Sequence, residues 1–154
     1  MTFAISGLPV ETFQPLFGLD DAALAAHGAV RVTAAEGRYP CRVTLQDAAP
    51  GETLLLVNYQ DHDVATPYRS AYAIYVREQA AEAATLVDEL PPVLRGRPIA
   101  LRVFDANDML MGADLAVNND VEAVITRRFA DPKVAYIHAH NAAPGCFAAR
   151  IERG

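Results

Sequence analysis

The chain has 154 residues, enough for one domain with a hydrophobic core and too few for two comfortable ones. Apolar residues make up 52% and charged residues 21%, and no run approaches the roughly 20 apolar residues that a bilayer span requires. Thirteen basic against nineteen acidic residues give a net charge of −6, which argues against the broad positive surface that phosphate-backbone binding relies on. The N-terminal MTFAISGLPVETF lacks a basic segment followed by an apolar one, so no secretion signal is read there. The expectation is a cytoplasmic protein with neither membrane nor nucleic acid as partner, and of an oligomeric state the sequence does not set. Two cysteines, Cys41 and Cys146, make no disulfide framework and are expected as free thiols.

In chain order, residues 9–28 read as two short helical pieces, because Pro9 suits a first turn and Pro15 interrupts what starts before it. Asp20 is placed to cap the second piece, Leu19 and Leu24 stand at staple positions, and Gly28 sits where a left-handed terminator belongs. From Val30 the period changes to two. Cys41, Val43 and Leu45 alternate with Arg42, Thr44 and Gln46, the pattern of a half-buried strand with Cys41 on its apolar face. Residues 53–59 and 72–77 read as further strands, joined by a polar loop in which Asp61-His62-Asp63 is expected as a solvated acidic turn rather than as metal ligands.

The alanine-rich stretch 78–90, closed by Pro91-Pro92, reads as a helix covering the sheet. Residues 99–104 and 109–117 flank the turn-prone Asp105-Ala-Asn-Asp108, which predicts an antiparallel hairpin. Asn119 is expected to cap a helix to about Ala130, with Glu122 at the box position and Val121, Val124, Ile125 and Phe129 as its buried stripe. Two last strands, 134–140 and about 146–152, are joined through Asn141-Ala-Ala-Pro-Gly145. The sum predicts a single-domain α+β fold, a largely antiparallel, curved or barrel-like sheet of about eight strands with about three or four helices.

The chemistry-bearing residues gather in the final unit. On a strand, residues two apart share a face, so Tyr136, His138 and His140 point one way. If the five-residue loop sets His140 opposite Cys146, then Ala148 faces His138, Arg150 faces Tyr136, and the polar groups converge. Three readings stay open. His138, His140 and Cys146 would bind zinc or another divalent transition metal, leaving a fourth position for water or Cys41. Alternatively Cys146 is a nucleophile activated by His140 or His138, with Asn141 orienting the ring or steadying an oxyanion. In the third reading the histidines line the sheet and hydrogen-bond to neighbours, and both cysteines are small core residues. Arg42, Arg69 and Arg77 lie in or beside strands of an acidic chain, and Arg42, Arg69 and Tyr68 are candidate contacts for an anionic small molecule.

The segments YPCRVTLQDAAPGE, TPYRSAYAIYVRE, LRVFDAND and FADPKVAYIHAHNAAPGCFAARIER, with ISGLPVETFQPLFGL before them, resemble the bacterial family called domain of unknown function 1203. The resemblance covers nearly the whole chain. It implies a single-domain cytosolic protein and supplies no catalytic residue, while pointing to YPCR at 39–42, TPYR at 66–69 and HAHNAAPGC at 138–146 as characteristic stretches. The functional expectation is a small-molecule-binding protein or enzyme for an anionic ligand, served by the His138, His140, Cys146 face. The alternative is a non-catalytic interaction module whose open face presents Tyr68, Tyr72 and Tyr136 to a protein partner.

Overall fold

In the computed structural model, which describes residues 2–154, two antiparallel sheets carry the molecule. The strands are β1 (Phe3–Ser6), β2 (Val30–Thr33), β3 (Thr53–His62), β4 (Ser70–Arg77), β5 (Thr85–Val87), β6 (Ile99–Phe104), β7 (Leu110–Ala116), β8 (Tyr136–Asn141) and β9 (Phe147–Arg153). The larger sheet has the order β5-β1-β9-β8-β6-β7 and the smaller the order β2-β3-β4. Neither closes into a barrel, and two α-helices, α1 (Asp21–Ala26) and α2 (Val121–Phe129), stand among the described residues in place of three or four. No helix is long and apolar enough to cross a membrane.

Each sheet owns an apolar core. The larger one packs Ile99, Leu101 and Val103 of β6, Ile137 and Ala139 of β8 and Ile151 of β9 against Val121, Val124, Ile125 and Phe129 of α2. That helix shows the expected stripe, but its entry differs: Asn119 adopts a left-handed conformation (φ 66°) and accepts from the Gly96 amide instead of capping. The smaller sheet packs Leu55, Val57, Ile74 and Val76 against Val10, Phe13 and Leu24 from the N-terminal segment. There the first expected helical piece is a pair of 3-10 turns, and Asp20 does cap α1, accepting from the Ala23 amide at 2.8 Å.

Three expectations give way to tertiary pairing. The 78–90 stretch contains β5 rather than a helix, because residues 85–87 pair with β1, the Asp88 amide and carboxylate both bond to the Phe3 backbone, and Asp88 is left-handed (φ 53°). Alanine-rich propensity is worth only tenths of a kcal/mol per residue and yields to a sheet edge offering its hydrogen bonds. β1 itself carries too short a pattern to be noticed. The 41–45 segment is a turn and not a half-buried strand: the Leu45 amide bonds back to the Cys41 carbonyl, and Arg42 is buried beside Cys41 instead of facing water. β3 runs three residues past its expected end, through a bulge, to His62.

Candidate metal centre

β8 crosses the middle of the larger sheet with all six residues buried, so both of its faces meet protein. Ile137 and Ala139 enter the apolar core. Tyr136, His138 and His140 share the opposite face, as the spacing predicts, with ring centroids 5.3 Å and 6.4 Å apart along the row. Phe104 of β6 and Phe147 of β9 close around them, and the far end of β3 and the start of β4 from the smaller sheet cover them through His62, Asp61 and Tyr72. The site is a polar and aromatic seam where the two sheets meet.

The seam brings Asp61, His138 and His140 together, with one ligand atom from each lying within 4.8 Å of the others. His138 is 1% and His140 2% exposed, and the Asp61 side chain has no exposed surface. His140 donates Nδ1–H to the Gly145 carbonyl at 2.9 Å, which fixes the tautomer and leaves Nε2 a bare lone pair. That Nε2 and His138 Nδ1 are buried without a hydrogen-bond partner. His138 Nδ1 stands 3.9 Å from Asp61 Oδ2, too far for a hydrogen bond. Among the described side chains, Asp61 accepts from the Ser70 hydroxyl, at 3.1 and 3.2 Å.

Burial governs the charges. Desolvation, reinforced by the neighbouring histidines, Arg102 and Arg150, pushes His138 down to about 2, and desolvation pushes His140 down to about 4 against the bond to Gly145. Both imidazoles are therefore neutral, as metal coordination requires. Burial raises the Asp61 carboxyl above its ordinary range, outweighing the Ser70 hydrogen bond and the positive charge of Arg102.

A second polar chain runs beside this cluster. His62 donates Nδ1–H to the Tyr68 carbonyl at 2.8 Å, its Nε2 lies 2.6 Å from the Tyr136 hydroxyl, and that hydroxyl donates to Asp108 at 2.6 Å. Burial, together with the neighbouring Asp108, keeps Tyr136 protonated by raising its pKa. Tyr136 is thus a buried relay member. Of the three tyrosines, Tyr136 is buried, and Tyr68 and Tyr72 are half-buried, Tyr72 with its ring set against His140.

Cys146 is not in the cluster. β8 and β9 pair His138 with Arg150 and Tyr136 with Glu152, and a bulge after Ala139 sets Phe147, not Cys146, opposite His140. The turn is one residue tighter than expected, with the Asn141 amide bonded to the Cys146 carbonyl. The Cys146 thiol instead accepts from Arg42 at 3.1 Å and from Asn141 at 3.5 Å, at the edge of a separate cavity. Cys41 is fully buried in the smaller core, accepting from the Thr44 and Arg77 amides, and is a free thiol like Cys146. Arg69 is exposed, 3.4 Å from Asp63, and Tyr68 contributes its backbone to His62 and its ring to Phe104. Asp61 and His62 were the residues the solvated-turn expectation hid. The signal for them was an Asp-His pair directly continuing an apolar strand.

A family described as Protein of unknown function (DUF1203) matches residues 38–153. No curated protein and no solved structure matches the chain.

Proposed function

Since the chain belongs to the DUF1203 family, whose description carries no activity, we propose from its own geometry that it is a metal-binding protein, holding a divalent transition metal through Asp61, His138 and His140. The observation that carries this reading is the pair of buried imidazole nitrogens with no hydrogen-bond partner beside a buried carboxylate. Leaving such groups unpaired costs about 1–3 kcal/mol each, and a cation satisfies all three at once. Two nitrogens and one oxygen suit zinc or iron(II), and the two-histidine, one-carboxylate set leaves further positions open. Metal bonds of about 2.0–2.2 Å require the donor atoms to draw inward by roughly 1 Å, within reach of side-chain rotation. The Gly145 carbonyl that orients His140 acts as the outer partner usual for ligating histidines.

The donors come from both sheets, Asp61 from β3 and the histidines from β8. A bound ion therefore clamps the sheets, and its binding energy becomes folding energy. When bound, the metal supplies a Lewis acid in a site closed to bulk water. The test is elemental analysis of untagged protein purified without chelator. Near-stoichiometric metal is expected in the parent and in Cys146→Ser, with loss in Asp61→Asn and His138→Ala. A parent that takes up none of zinc, iron(II) or manganese on reconstitution would sink the proposal, and retention in Asp61→Asn would remove the carboxylate from it.

A further inference from the structure

A cavity of about 320 Å³ lies at the mouth of the β8–β9 turn, apart from the buried triad. Its volume falls at the lower end of the range for small-molecule sites, about 300–1,000 Å³. Arg38, Arg42 and Arg97 are among the residues that line it, and no Asp or Glu is. Arg97 is neutralised from behind by Asp47 at 2.7 Å. The other two have no ion-pair partner among the described residues: Arg38 donates to the Gly96 carbonyl, and Arg42 to the Phe147 and Pro40 carbonyls and to Cys146 Sγ.

Arg42 is the unusual one. It is 2% exposed, and burial lowers its pKa, the sign of a cation lacking compensation. A buried guanidinium held rigid by two carbonyls and facing no acid is a preorganised electrostatic site for an anion. It stands in a chain whose net charge is −6, so local selection of positive charge, not overall composition, makes the wall cationic. The remaining wall is apolar, formed by Tyr75, Pro98 and the 142–144 loop. A hydrated polyanion such as phosphate would leave its outer oxygens against that surface, whereas a carboxylate on an apolar body matches both halves.

We propose that this cavity binds a small carboxylic acid with an apolar body, its carboxylate directed at Arg38 and Arg42 and its body lying on Tyr75 and Pro98. The ligand covers the Cys146 thiol, which lines the same wall. This site does not depend on the metal.

Benzoate, phenylacetate and octanoate serve as probes, with benzamide and inorganic phosphate as comparisons, in chelator-treated protein. Calorimetric titration gives affinity, and iodoacetamide labelling read by mass gives occupancy at Cys146, with fully buried Cys41 as the internal control. At least one carboxylate should bind, slow labelling of Cys146, and bind at least about tenfold more tightly than benzamide, the scale of a lost charged hydrogen bond. Arg38→Gln, at an exposed position where folding is safe, should weaken it about tenfold, and Ala73→Trp, which fills the cavity from an exposed position, should abolish protection. If no carboxylate protects Cys146, if benzamide binds equally, if phosphate binds more tightly than all three, or if Ala73→Trp leaves protection intact, the inference is overturned.

Discussion

The two faces of β8 do opposite things with the same strand. On one, Ile137 and Ala139 join an apolar core whose members need only shape and hydrophobicity. On the other, Tyr136, His138 and His140 are equally buried yet carry polar atoms, two of which have no partner. Burial alone therefore does not separate the two faces. Hydrogen-bond satisfaction does: the apolar face carries no polar side-chain atom, and the histidine face carries two nitrogens without a partner among the described residues.

The comparison is broken most forcefully from the apolar side. Ile137→Ala should destabilise the protein by about 2–5 kcal/mol, with or without added metal, because its cost is a cavity. His138→Ala should behave differently: in metal-free protein it removes an unsatisfied polar group and costs less than Ile137→Ala, while it eliminates the metal-induced rise in Tm that zinc gives the parent. A ligand at 100 times its Kd adds about 2.7 kcal/mol, well within reach of thermal unfolding. Equal responses to zinc in the parent and in His138→Ala would collapse the distinction between the faces.

Acid sharpens it. In the folded state the two imidazoles stay neutral down to about 4 for His140 and about 2 for His138, but in the unfolded chain they take up protons near the ordinary histidine value of 6.5. The unfolded state thus binds more protons below 6.5, and stability falls as pH drops through that window, by about 1.4 kcal/mol per pH unit for each histidine. Asp61, whose carboxyl is raised, works in the opposite sense near the carboxyl range, one group against two. Urea unfolding of metal-free protein between pH 7 and 5 checks this, and a flat profile would mean that the seam admits water.

The smallest effect separates the relay from the triad. Tyr136→Phe leaves His62 and Asp108 without their shared hydroxyl, for a loss of about 1–3 kcal/mol, and should not alter metal content. Arg69→Ala, at an exposed pair with Asp63, should stay within about 0.5 kcal/mol of the parent in the same denaturation series.

How much of this was legible in the residues divides along physical lines. The apolar and β-branched runs of β3, β4 and β6–β9, the α2 stripe and the common face of Tyr136, His138 and His140 follow from backbone geometry, which acts over a few residues and is written in local spacing. Arg42 was read as a candidate anion contact, but its place beside Cys146 and Asn141 at a cavity is set by the fold and is not written in local spacing.

What tertiary structure decided was which polar residues would lose their water. Asp61 and His62 read as a solvated turn because acidic, hydrogen-bonding triplets usually are, and only the meeting of two sheets, built from segments far apart in the chain, buries them against β8. Cys146 left the histidine face through one bulge and a turn tighter by one residue, a register choice set by backbone bonding at Asn141. The sequence by itself determined most of the strands, the α2 stripe and the shared face of the histidine pair, not their division into two sheets. Long-range packing brought a carboxylate rather than a thiol to the histidine pair, because burial depends on what arrives from elsewhere in the fold and not on neighbours along the chain.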